Sequence, residues 1–154
     1  MKIISNSDKL SVFVINNKDI DLDNLDMYMK ELIIKLRRKY RKDIYGFYKV
    51  DVYVKDKIGM IIDFNLEEEI DFFRDLVDLK VVVHEDADLF LKFSDYFLFD
   101  NKKVYFFEEE YYVDINDVSD KEFLEKLEFC NLVYGEELSD IKGNFKKICS
   151  AWKL

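Results

Sequence analysis

His84, the only histidine in the chain, stands directly before Glu85, Asp86 and Asp88 in KVVVHEDADL. Imidazole changes charge near neutral pH and a carboxylate can orient it, so this grouping has the makings of a general base or a pH-sensitive group. No motif ties a serine, cysteine or lysine nucleophile to it. Among 33 acidic residues a lone histidine acquires acidic neighbours by chance, so His84 is read as structural. Asp19, Asp21 and Asp23 suggest a calcium loop, but Asn24 stands where the loop needs glycine and Lys30 where it needs a bidentate glutamate, which excludes an EF-hand.

Other chemistry is excluded in the same way. Cys130 and Cys149 have 18 residues between them and one distant histidine, too little for a zinc framework, and are expected as buried thiols in a reducing compartment. With four glycines the chain has no phosphate-binding loop or dinucleotide fingerprint, and neither G-x-S-x-G nor H-E-x-x-H occurs. A carboxylate pair for hydrolysis leaves no linear signature and is not proposed residue by residue. No catalytic, metal-ligating or cofactor-binding residue is assigned, and no cofactor is expected.

Binding is better signalled. Lys35, Arg37, Arg38, Lys39, Arg41 and Lys42 form a basic run, and three of the four arginines in the chain fall within it. Cations at a helix C-terminus offset the helix dipole, which is the structural reading. The functional reading is a contact for a phosphate or an acidic partner segment, for which arginine is the better bidentate donor. Tyr105 and Tyr111 share a face if Val104–Ile115 is one straight strand, and Trp152 would anchor a terminal helix on a partner. The candidate partner-binding residues are therefore Arg37, Arg38, Arg41, Tyr105, Tyr111 and Trp152.

Composition sets the frame for these elements. The 154 residues are 49% hydrophobic and 37% charged, enough for a core of ordinary size. No apolar run approaches the roughly 18 residues of a spanning helix, and the start has no signal-peptide character. A cytoplasmic, soluble protein is expected. The net charge of −9 disfavours nucleic acid and anionic membrane as direct partners, and favours solubility or a basic partner. Proline, threonine and glutamine are absent, a pattern expected of an AT-rich genome, so part of the aromatic and lysine content reflects codon bias.

The elements that would position these residues follow from periodicity. Leu10–Ile15 alternates as a strand. Asp21 or Asp23 caps a helix that carries Leu25, Met29, Leu32, Leu36 and Tyr40. Two strands, 47–54 and 59–64, make a hairpin around KDK. Asn65 with Glu68 suggests the cap of a second helix ending near Leu79, its first turn holding Glu67, Glu68, Glu69 and Asp71. Lys80–Glu85 reads as a buried or sheet-central strand, and 86–93 as a turn or two of helix. The aromatic stretch Asp95–Ile115 is expected in the middle of the sheet, as a meander turning at Asp100-Asn101 and at Glu108-Glu109, with one long bulged strand as the alternative. Ser119 and Glu122 form a capping box, and Leu138 to Trp152 reads as a terminal amphipathic helix weakened at Gly143.

The expected fold is α+β: a single domain over 1–154, a mostly antiparallel sheet of about five to six strands, helices packed on one face, and a C-terminal amphipathic helix. The expected function is that of a non-enzymatic protein-binding protein, a regulator, adaptor or inhibitor. The alternatives are an acidic inhibitor of a nucleic-acid enzyme, associated with a phage or a toxin, and a small hydrolase using carboxylates.

Overall fold

The computed structural model describes residues 2–6, 9–15, 22–55, 59–68, 77–99 and 102–148. Their order is β1 (Lys2–Asn6), β2 (Lys9–Ile15), α1 (Leu25–Arg38), β3 (Gly46–Lys55), β4 (Gly59–Glu68), β5 (Val77–Glu85), β6 (Leu89–Phe93), β7 (Val104–Phe107), β8 (Glu110–Asp114), α2 (Asp120–Lys126), β9 (Asn131–Tyr134), α3 (Gly135–Lys142) and β10 (Lys146–Ile148). The strands make two five-stranded sheets, ordered β1-β2-β4-β3-β5 and β10-β7-β8-β6-β9, where the sequence suggests one sheet of five to six strands. The chain divides into two compact units, Met1–Asp86 and Ala87–Leu154.

In the first unit, Val12, Val50, Val52, Ile62 and Phe64 are fully buried at alternate strand positions, as a sheet with one face against a helix requires. The helix supplies Leu25, Met29, Leu32, Ile33 and Leu36 at three- and four-residue steps, all in the same core. Each such side chain contributes about 1.5–3 kcal/mol by leaving water. The cap differs from expectation: Asn24 holds that position, its side chain makes no capping bond to the first turn of the helix, and Asp23 lies in a preceding 3-10 turn.

The expected second helix is not formed over its described ends. Asn65 to Glu68 extend β4, with Leu66 opposite Tyr48 and Glu68 opposite Phe47 across a register shift, and Val77–Leu79 begin β5. Residues 69–76 of that helix lie outside the described residues. The asparagine expected as a cap instead donates from Nδ2 to the Lys49 carbonyl at 3.2 Å. Strand pairing with β3 supplies bonds that a cap at Asn65 would have had to make locally. Strand β5 is also not central. It lies at the end of its sheet, parallel to β3.

The second unit holds a further correction. Leu89–Phe93 is not helical but a strand between β8 and β9, with Leu89, Phe90, Leu91 and Phe93 buried. Tyr96–Phe99 is a 3-10 turn rather than a strand, and the turn expected at Asp100-Asn101 lies outside the described residues. Strands β7 and β8 do form a hairpin that turns at Glu108-Glu109, with β8 in the middle of its sheet. The Ser119 cap is as expected: its Oγ accepts from Glu122 N at 3.2 Å and donates to Glu122 Oε1 at 3.1 Å.

The terminal amphipathic helix stops early. Helix α3 ends at Lys142 with Gly143 as its cap, and Lys146–Ile148 then pairs with β7. The low helix propensity of glycine marks the break. Trp152 lies outside the described residues. No helix among those described is long and apolar enough to cross a membrane.

Candidate functional site

Three groups of side chains have the chemistry to act: the basic end of α1, a row of polar residues on the first sheet, and the aromatic residues of the β7–β8 hairpin. At the end of α1, Arg37 is committed to the fold. Its Nε and Nη2 donate to the Ile44 carbonyl at 3.2 and 2.7 Å, and its guanidinium lies 4.4 Å from the centre of the Tyr45 ring. Arg38 and Arg41 are exposed, and neither has an ion-pair or hydrogen-bond partner among the described residues. Arg41 adopts φ 53°, which lets the chain reverse so that Lys42 N–H donates to the Leu36 carbonyl at 2.9 Å.

The polar row crosses the first sheet on the face opposite α1. Asp51 and Asp63 are direct partners in the β3–β4 pairing. Like charges so placed repel, and each carboxylate is held by a counterpart. Asp63, 2% exposed, meets Lys9 Nζ at 3.1 Å. Asp51 meets His84 Nε2 at 3.0 Å through Oδ1 and Asn65 Nδ2 at 3.4 Å through Oδ2. The His84 ring stacks on Tyr53, centroids 4.7 Å apart.

Among the described residues the His84 ring contacts Asp51 and Tyr53, and no serine or cysteine nucleophile stands against it. Ser11 is on the same face as the partner of Asp63. The order β2-β4-β3-β5 separates it from His84 by three strand spacings, roughly 14 Å. Among the described residues no three His, Cys, Asp or Glu side chains are grouped to hold a metal ion. The acids that follow His84 are not its partners here, since Asp86 pairs with Lys55 and Asp88 with Lys142, each at 2.9 Å.

Comparison with protein-family models, with curated proteins and with solved structures finds no match for this chain. The roles of its residues therefore rest on their geometry.

Tyr105 and Tyr111 do not share a face. In the hairpin Tyr105 stands opposite Tyr112 and Phe106 opposite Tyr111, and cross-strand partners lie on the same side of a sheet. The two-residue turn replaces the straight strand on which their pairing depended. Tyr105 stacks on Phe145 at 5.3 Å, near Phe90, Val133 and Leu138 of a buried cluster. Tyr111 contacts Phe93, Tyr96 and Phe106 at 5.9, 5.6 and 5.3 Å. Both are half-buried, and their apolar rings serve packing first. Phe97 and Phe129, at 70% and 62% exposure, are the open aromatic rings of this unit among the described residues. Nothing in the periodicity singled them out.

Lys126 and Glu122 brace that region. Lys126 Nζ donates to the Leu98 carbonyl and lies 5.0 Å from the Phe99 ring centre. Burial of Glu122 tends to raise its pKa, but bonds from Lys102 and Ser119 and the charge of Lys126 outweigh this and hold it below the usual carboxylate value. Burial pushes the Cys130 thiol up to about 11, against a smaller pull downward from Lys126.

Alkylation of Cys130 in the folded protein should therefore be slow at pH 8 and keep rising towards pH 11, whereas in the unfolded chain the rise is centred near the ordinary thiol pKa of about 8.5. Mass spectrometry of the Cys130 peptide after timed labelling reads this, and a folded-state rate that levels off by pH 9 would contradict the assignment. The sign for stability follows. A raised thiol pKa contributes stability that is fully present below the unfolded pKa and is lost as pH rises through the folded one.

Proposed function

We propose that this chain is a non-enzymatic, cytoplasmic protein-binding protein, a regulator, adaptor or inhibitor, that receives an acidic segment of its partner at the C-terminal end of α1. The observation that carries this reading is that Arg38 and Arg41 are exposed and unpaired among the described residues of a chain with net charge −9. Both guanidinium groups are ready to take a carboxylate in bidentate fashion. Met27 and Ile34 are 64% and 48% exposed on the same helix. Steps of seven and then four residues place Met27, Ile34 and Arg38 along one outer stripe. The partner segment therefore combines acids with at least one apolar side chain. Hydrolysis by Asp51 and Asp63 has less support, because both carboxylates already have partners.

The test is affinity capture from the native host with the wild-type chain and with Arg38→Glu/Arg41→Glu. The double variant should lose a partner that the wild type recovers in stoichiometric amount. Its melting temperature should fall by no more than about 8 °C, since exposed cations at a helix end contribute about 0.3–1 kcal/mol each and two are replaced. Arg37→Ala should behave oppositely, losing about 1–3 kcal/mol of stability through its bonds to the Ile44 carbonyl. Unchanged partner recovery by the double variant would refute the proposed site.

A further inference from the structure

We propose that β5 is a self-pairing edge, along which two copies of this chain join antiparallel through Val77–Glu85 to make one continuous ten-stranded sheet. β5 closes the order of its sheet and pairs only with β3 among the described residues, so its outer row of N–H and C=O groups has no strand partner there. It runs for nine residues in register with β3 without a shift. The other sheet ends are shorter: five residues in β1, four in β9 and three in β10.

Soluble proteins protect long flat edges with prolines, bulges, very short strands or inward-pointing charges. β5 has no proline or bulge, and the edge charges it does carry, Asp78, Lys80 and Glu85, stand towards its two ends and leave Val81, Val82 and Val83 in succession between them. Its C-terminal end is fixed in place, because the buried Lys55 reaches past it to Asp86 at 2.9 Å. Val83 remains 37% exposed although its β3 neighbour Val52 is fully buried on the same face. That difference is what an uncovered edge produces.

The sequence of β5 fits a second copy of itself. An antiparallel pair related by a two-fold axis through the sheet must match residues of the same face, so the summed residue numbers of each pair are even. In the register that uses the whole strand, Val77 faces Glu85, Asp78 faces His84, Leu79 faces Val83, Lys80 faces Val82, and Val81 faces itself on the axis. Asp78 and His84 are complementary when the imidazole is protonated: Nε2–H then donates to Asp51, and Nδ1–H is left to donate to Asp78 of the second copy. Sliding to the next allowed register in one direction sets Lys80 against Lys80, like charges directly opposite, and in the other leaves Val77 and Asp78 beyond the end of the facing strand and loses the Asp78–His84 pair. Full overlap and charge complementarity thus select the same register. It adds about eight to ten backbone hydrogen bonds, and it closes the edge without leaving another open at the junction.

The mass of the full chain, by light scattering across a concentration series, tests this. The monomer is 18.6 kDa; twice that mass is expected at high concentration. Val83→Lys, at a half-open position, should shift the dissociation constant at least tenfold towards monomer with an unchanged far-UV spectrum. Asp78→Lys, on an exposed side chain, should do the same. In a chain whose own cysteines are replaced by serine, Val81→Cys should cross-link to itself on mild oxidation, because facing residues stand about 4.5–5.5 Å apart. Lys80→Cys, offset in this register, should cross-link poorly. A monomer throughout the series, or a dimer indifferent to Val83→Lys and without the Val81→Cys cross-link, would overturn the proposal.

Discussion

Phe64→Ala should lower the free energy of unfolding by about 3–5 kcal/mol, and Phe97→Ala should change it by less than about 0.5 kcal/mol. Phe64 is fully buried on the central strand β4, edge-on to Tyr48 at 6.3 Å, within the cluster that α1 covers. Removing its ring leaves a cavity that the close-packed side chains around it fill only in part. Phe97 lies in the 3-10 turn before β7 with 70% of its surface open, so truncation there removes little that is buried. Urea titration with both variants at comparable slopes measures the difference. Equal effects would mean that the placement of one of the two rings is wrong.

The double substitution Glu108→Asn/Glu109→Gly should stabilise the protein by about 1–2 kcal/mol, raising the melting temperature by roughly 2–8 °C. A two-residue hairpin loop matches the twist of its strands best when both central residues are left-handed. Glu108 and Glu109 have φ of 48° and 67°. An L-residue with a Cβ meets steric resistance there that asparagine tolerates and glycine lacks. Part of the gain is offset by the greater freedom of glycine in the unfolded chain. The exchange also separates Glu110 from two like charges beside Tyr112, whose pKa is raised by burial first and then by Glu110, Glu137 and Glu108. Calorimetry on the double variant decides the matter; a lower melting temperature would show that the glutamates make contacts worth more than the strain.

The same turn shows where local reading loses its hold. Neither glutamate is a turn former, so the residues alone left a bulged strand and a hairpin nearly balanced, and with them the face on which Tyr111 lies. Pairing of Val104 with Val113 and Tyr105 with Tyr112 decides it. The row on the first sheet was closer to legible. Once the strands on either side of KDK form a hairpin with Lys55 opposite Gly59, Asp51 must stand opposite Asp63, because both are four residues from that closing pair. His84 reaches the row only because β5 runs parallel beside β3, and no local signal sets that crossover.

What the sequence determined by itself was local and periodic. The stripe of α1, the alternation of β2, β3 and β4, the Ser119 capping box and the basic run from Lys35 to Lys42 all follow from spacing within about a dozen residues. Tertiary structure alone decided the rest: two sheets rather than one, Asn65 in a strand rather than at a cap, Leu89–Phe93 as a buried strand, and Arg37 spent on the Ile44 carbonyl while Arg38 and Arg41 stay open. The physical reason is common to all four. A short apolar or polar segment takes whichever state satisfies its backbone bonds and buries its side chains, and for these residues the partners that do so are distant in the chain.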